Sequence, residues 1–149
     1  MTFTFSTHSF QALSAQQLYA YLQLRSEVFV VEQNCVYQDL DNLDQDALHV
    51  FIHDQNTLVA CARIVPANEK YPVISIGRVI VAQTHRNQQL GHVLMQYAIS
   101  AIEAHFGAQK IVLSAQAHLQ DFYKKHNFAA RGEIYLEDGI PHIHMERNL

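Results

Sequence analysis

IGRVIVAQTHRNQQLGHVLM, residues 76–95, is the stretch on which the fold turns. The apolar run Val73 to Val81 leads into it and reads as a strand covered on both faces. A loop with Arg86, Asn87 and Gly91 follows, and a helix begins at once. Leu90, Val93, Leu94, Tyr97, Ala98, Ala101 and Ile102 keep an i, i+3, i+4, i+7 spacing, and Gly107 stands where a helix ends. Ile111-Val112-Leu113 is the next buried strand. Strand, helix and strand in that order predict a right-handed βαβ crossover with parallel strands.

Upstream, Ser14 with Gln17 three residues on is a capping-box pattern, and Leu18, Tyr21, Leu22 and Arg25 follow at helical spacing. Val28-Phe29-Val30-Val31 is β-branched and aromatic, so the helix is expected to end near it. Residues 34–47 read as a loop carrying Asp39, Asp41, Asp44 and Asp46. His49 to His53 and Thr57 to Val65 flank Asp54-Gln55-Asn56 and predict a hairpin. Pro66 to Pro72 is a polar connection, and no element is assigned to Met1 to Phe10. Downstream, Leu119, Phe122, Tyr123 and His126 make a short amphipathic helix stopped near Asn127. Strands are expected at 128–136 and 140–146, joined by the hairpin signal Asp138-Gly139.

The loop before the central helix is where binding chemistry is expected. A helix N-terminus presents backbone N–H groups and positive potential, and Arg86 adds a charged fork suited to phosphate. The residues alone predict a phosphate or pyrophosphate site; a plain strand-to-helix turn with a surface arginine fits them equally well. The loop lacks the Gly-Lys-Ser/Thr ending of a Walker A motif and the three spaced glycines of a Rossmann fingerprint.

The bulk properties narrow the class. A chain of 149 residues, 49% hydrophobic and 16% charged, with no repeat, low-complexity tract or linker, suits a single domain over 1–149. Net charge is −4, with ten Lys and Arg against fourteen acids, which argues against a nucleic-acid or anionic-membrane partner. No apolar stretch reaches the roughly 20 residues that span a bilayer. The N-terminus lacks a basic start followed by an apolar run, so no signal peptide is expected. Cys35 and Cys61 form no C-x-x-C motif, and the expectation is free thiols in a reducing, cytoplasmic setting.

Several segments together resemble one family. Arg86-Asn-Gln-Gln89-Leu-Gly91 is similar to the Gln/Arg-x-x-Gly-x-Gly/Ala loop of the GNAT acetyltransferases. LSAQAHLQDFYKKHNF, residues 113–128, resembles the family's next strand, short helix and Tyr-x-x-x-Gly/Asn-Phe ending. LRSEVFVVEQNCVYQDLD (24–41) and EDGIPHIHM (137–145), with those pieces, resemble the ElaA-like branch over nearly the whole chain. One departure is Gln89 at a usual glycine position, which strains the loop by about 1 kcal/mol if its φ is positive.

The resemblance implies an α/β GNAT acyl-CoA N-acyltransferase fold: a mixed, mostly antiparallel twisted sheet, helices on both faces and a central βαβ with splayed parallel strands. It implies acetyl-CoA as cosubstrate and transfer of acetyl to a primary amine of a small molecule or peptide, with no metal. A coenzyme A-binding sensor or interaction module without turnover is the alternative. Cofactor contacts would come from the backbone of Val79, Ile80 and Val81. The pyrophosphate would rest on Arg86, Asn87, Gln88, Gln89, Leu90 and Gly91, with the N–H of His92. Gln116 falls where many relatives place a cofactor-contacting asparagine, and Tyr123 matches the tyrosine acid that protonates the leaving thiolate. By spacing alone Tyr123 is a core tyrosine on a stripe with Leu119 and Phe122.

The acceptor side is less defined. Glu32, His49, Glu137, His142 and His144 are candidate general bases, with Glu32 first and His142 second. Arg78 interrupts an apolar strand on a face expected to be shared with Ile76 and Ile80 and needs a partner; shaping the acceptor pocket, pairing with Glu32 and a structural ion pair are all open to it. His142-x-His144 puts two imidazoles on one strand face without a third ligand at useful spacing. The aspartates at 39, 41, 44 and 46 are expected to be solvated, and with Glu32 and Glu137 to favour a cationic acceptor. Monomer and homodimer both remain open.

Overall fold

The computed structural model describes residues 3–69 and 71–149. Seven strands form one mixed sheet: β1 (Phe3–Ser9), β2 (Leu48–Asp54), β3 (Thr57–Val65), β4 (Ser75–Val81), β5 (Ile111–Gln116), β6 (Ala129–Glu137) and β7 (Ile140–Arg147). Their order across the sheet is β1-β2-β3-β4-β5-β7-β6. Only β4 and β5 are parallel, joined by the helix α2 (Leu90–Phe106) as the crossover pattern predicts. The remaining helices are α1 (Ala15–Arg25) and the short α3 (Gln120–Lys124).

Alternation along the strands divides the core between two faces. Val50, Ile52, Ala60, Ala62 and Ile64 pack with Leu94, Met95 and Ala98 of α2. Phe51 and Cys61, on the intervening positions, pack with Tyr21 and Leu24 of α1. The two long helices therefore cover opposite faces, consistent with the period-2 geometry of strands. Ser14 caps α1 with the reciprocal bonds expected: its side chain accepts from Gln17 N–H, and the Gln17 side chain accepts from Ser14 N–H.

Three sequence expectations are corrected. Phe3–Ser9 is an edge strand pairing antiparallel with β2; it has no buried residue, so it lacks the apolar alternation that marks a strand. Val28 to Val31 does not end the helix. The chain continues from α1 as a π-helical segment, Ser26–Glu32, in which Val28 and Phe29 pack inward while Val31 is exposed. Ile76 and Ile80 do not share a face. Cys61 pairs with Ile80 and Arg63 with Gly77, so β4 carries one residue more than β3 in that interval, and Arg78 takes a left-handed φ of 49°. This bulge resets the alternation: Ile76 packs on the α2 side and Ile80 on the α1 side.

The parallel strands separate almost at once. Their only register pair is Ser75 with Val112, supported by Val112 N–H donating to Ile74 O at 3.0 Å. Beyond it, the β5-facing edge of β4 has no strand partner among the described residues. The β6–β7 hairpin turns on Asp138 and Gly139 at φ 52° and 78°, the positive values that a type I′ turn requires.

Candidate functional site

A cleft of about 400 Å³ opens along the wedge between β4 and β5. Arg78 and Val79 line it from β4, Ser114 and Gln116 from β5, Tyr123 from α3 and His142 from β7. Phe29 and Tyr37 close it from the segment after α1.

At the end of β4 the chain turns sharply into α2. Asn87 and Gln89 both adopt left-handed φ, 67° and 62°, and Gln89 is the residue that precedes the helix. The Gln89 side chain makes no capping bond. The first N–H groups of α2 have no acceptor within the helix, which leaves them directed outward with the positive end of its dipole. Gly91 lets the neighbouring element close in: a Cβ there would lie 3.1 Å from Phe122 Cε1 and 3.2 Å from Cζ. Phe122 also packs its ring on His92, with centroids 4.7 Å apart.

Arg86 has a partner already. Its Nη1 and Nη2 donate to the Glu32 carboxylate at 2.7 and 3.0 Å, and its Nε donates to Val81 O at 3.1 Å. Glu32 thus sits on the loop before α2 rather than in the cleft, which corrects its expected place on the acceptor wall. Arg78 in turn does not meet Glu32. Its Nε lies 2.8 Å from Asp39 Oδ1, a charge contact not aligned for a hydrogen bond, and its Nη2 donates to Asp39 O at 2.9 Å.

The acidic loop is an ion-pair network, not a solvated face. Arg25, fully buried, donates to Asp44 at 2.7 Å and to Asp39 at 3.0 Å. Arg63 donates to Asp41 through both terminal nitrogens at 2.8 Å and to Asp44 at 3.2 Å. Burial alone would raise the Asp41 pKa; hydrogen bonds from Arg63 and its charge outweigh that and hold it at about 2. Asp44 is likewise lowered, with Arg25 and Arg63 overcoming burial. These carboxylates are neutralised by arginines, so they do not make an acidic cleft. Asp46 is exposed. His49 is also structural: fully buried, it bonds Tyr21 Oη and Asp44 O, and burial pushes its pKa down.

Tyr123 is 7% exposed and borders the cleft. Its hydroxyl makes no hydrogen bond to a described residue, and burial pushes its pKa up to about 12, so it holds its proton at neutral pH. It packs with the α2-side core, so the core role expected from spacing and the cleft position hold together. On the other side of β5 a polar row faces the cleft. Gln116 pairs across to His142, and His142 to Tyr135, so their side chains share one face. His142 Nε2 lies 3.4 Å from Glu137 Oε2. His144 bonds Glu146 at 3.0 Å instead.

Residues 9–149 match the family model described as an acetyltransferase (GNAT) domain. The chain belongs to the GNAT acetyltransferase family. The ElaA protein of Escherichia coli is 45% identical over 139 residues, covering 92% of this chain and 91% of that protein. Its crystal structure superposes with a TM-score of 0.93, over 99% of this chain and 100% of that one. An acyl-CoA N-acyltransferase from Pseudomonas aeruginosa gives 0.93 at 42% identity, over 98% and 99%. A GNAT acetyltransferase from Elizabethkingia anophelis, solved with acetyl-CoA bound, shares the fold alone, with a TM-score of 0.70 at 17% identity over 99% and 98%.

Four of the expected site residues, Val79, Gln116, Tyr123 and His142, line the cleft. Val79 and Tyr123 flank it, Gln116 and His142 line one wall, and residues 86–92 turn at its β4 end. Sequence reasoning missed Ser114 and Tyr135, whose hydroxyls hydrogen-bond beside Glu137. The strand register that joins them spans 21 residues, and no local signal marks it.

Proposed function

We propose that the chain transfers an acetyl group from acetyl-CoA to a primary amine, by direct attack in a ternary complex. The observation that carries this reading is the parting of β4 and β5 after a single register pair, with the N-terminus of a 17-residue helix at the end of β4. That wedge is open, and its β4 edge offers backbone groups of Val79, Ile80 and Val81 to a pantetheine amide. The turn from Arg86 to His92 suits a pyrophosphate through outward N–H groups and the helix dipole. Arg86, held by Glu32, serves by fixing that turn. Gln116 supplies a side-chain amide at the far wall.

A neutral amine attacks the thioester carbonyl, because an ammonium has no lone pair. Backbone N–H groups at the Arg78 bulge are suited to the oxyanion that develops. The C–S bond breaks and the sulfur leaves with the Tyr123 hydroxyl proton. No helix among the described residues is long and apolar enough to cross a membrane, and both cysteines are free. We place the reaction in the cytoplasm, in one catalytic domain spanning the chain and without a metal.

The test is an acceptor screen with acetyl-CoA, read by thiol release and by a mass gain of one acetyl group. Polyamines, amino sugars, amino acids and peptides belong in it, because the fold does not choose among them. Acetylated amine with stoichiometric thiol supports the reading. Acetyl-CoA binding without thiol release from any amine contradicts it and leaves a coenzyme A-binding module.

A further inference from the structure

The cleft holds an acid beside the wedge in Tyr123, but the amine also gives up a proton during attack. The β5–β7–β6 wall carries a group arranged to take it. His142 is 8% exposed, with Nδ1 2.7 Å from Ile140 O. A carbonyl only accepts, so Nδ1 carries the hydrogen, and the neutral ring keeps its lone pair on Nε2. That nitrogen faces Glu137 Oε2 at 3.4 Å. Two acceptors opposed at this distance repel while the ring is neutral and attract once Nε2 gains a proton. A group with N–H donors placed against them is attracted to both.

The surrounding groups fix this arrangement. Ser114 Oγ donates to the other Glu137 oxygen at 3.3 Å, and Tyr135 Oη meets Ser114 Oγ. The Tyr135 ring stacks on His142, centroids 6.2 Å apart and 27° between planes. Gln116 is the neighbour from β5. The cationic groups nearby are engaged elsewhere: Arg78 with Asp39 and Asp41, Lys110 with Glu146. His144 is spent on Glu146. Glu137 is therefore the one charged group shown in contact with His142 among the described residues, and its side chain is 48% exposed to the cleft mouth.

We propose that His142 Nε2 is the general base of acyl transfer and that Glu137 is its positioning residue; this deepens the acyl-transfer reading above and rests on it. As the amine nitrogen bonds the thioester carbon, its proton passes to His142 Nε2. The C–S bond breaks with its electron pair on sulfur, which takes the Tyr123 proton. The imidazolium and the tyrosinate are then reset by one proton moving through solvent, leaving amide and free thiol. The wall selects an acceptor with at least two N–H donors, as a primary amine has.

The experiment measures kcat against pH with acetyl-CoA and n-butylamine, tyramine or spermidine as probe amines, for wild type, His142→Gln and Glu137→Gln. Acetyl-CoA affinity is measured alongside by calorimetry. His142→Gln lowers kcat by about a hundredfold or more with cofactor affinity unchanged. Glu137→Gln lowers kcat about tenfold with the KM for the amine and cofactor affinity little changed, because the ring is no longer held in place. A merely structural Glu137 would leave kcat in place, and a wild-type kcat in either variant overturns the proposal. Should His142→Gln fail to fold, the half-exposed Glu137→Gln still decides. Ring 15N NMR supplies a test independent of turnover: neutral His142 is protonated at Nδ1, and an Nε2–H tautomer refutes the assignment. A wild type that releases no thiol from any probe amine is a failure of the acyl-transfer reading, and the ring measurement then still judges His142.

Discussion

Tyr123 and Glu32 show how position decides role at the scale of a single residue. Tyr123 keeps its proton because burial disfavours the phenolate, and its hydroxyl has no hydrogen-bond partner among the described residues at the cleft. Tyr123→Phe preserves the packing and removes the acid. It is expected to lower kcat about ten- to a thousandfold with acetyl-CoA affinity retained, as steady-state kinetics with calorimetry would show. A wild-type kcat with chemistry rate-limiting would sink the acid role. Glu32 was legible as a carboxylate near the acceptor region, yet its partner lies 54 residues away on the loop before α2. Nothing local in VFVVEQ announces that pairing. Glu32→Gln weakens the clamp on Arg86, so it raises the Kd for acetyl-CoA a few-fold and leaves the pH profile of kcat unchanged. A flattened profile would return Glu32 to the role of base.

Elements show a sharper split between what the sequence makes plain and what it hides. The hairpins, α2 and the α1 cap were legible because period, turn residues and caps agree locally. β1 was hidden by its exposed edge position, and the π-helical segment by β-branched residues that only continuity with α1 makes helical. The aspartate loop was misread for another reason: the arginines that neutralise it lie 14 to 39 residues away. Asp44→Ala leaves Arg25 and Arg63 short of a buried partner and is expected to cost about 3–5 kcal/mol, measured by denaturant unfolding. A cost below 1 kcal/mol would mean the network is incidental. The same network sets an acid dependence. Asp41 falls from 3.8 unfolded to about 2 folded. Its stabilisation is complete above the unfolded value and is lost as pH drops toward 2; unfolding midpoints measured from pH 5 to pH 2 should trace that fall. In the loop before α2, the expected strain at Gln89 is present, since its φ is 62°. Gln89→Gly relieves about 1 kcal/mol of it while adding chain entropy to the unfolded state, so the melting temperature changes little or rises. A clear fall would show that the side chain contributes something else.

Across the whole molecule, two cores cover opposite faces of the sheet in which β4 and β5 part. The α2-side core anchors β5 through Leu113 and Ala115, while β4 stays paired with β3 past the Arg78 bulge. Tyr123 and the polar wall of Gln116 and His142 both border the opening between β4 and β5. The crossover was visible in the alternation of strand and helix; the bulge was not, because a one-residue register shift has no signature in an apolar run. Acyl-CoA is proposed to bind in this wedge and on the turn after β4. Hydrogen–deuterium exchange with and without acetyl-CoA is the measurement that tests this binding. The prediction is slowed amide exchange in peptides covering residues 76–81 and 87–92, with little change in β1 and β2. Unchanged exchange in both segments at saturating acetyl-CoA, or protection confined to another surface, would contradict it.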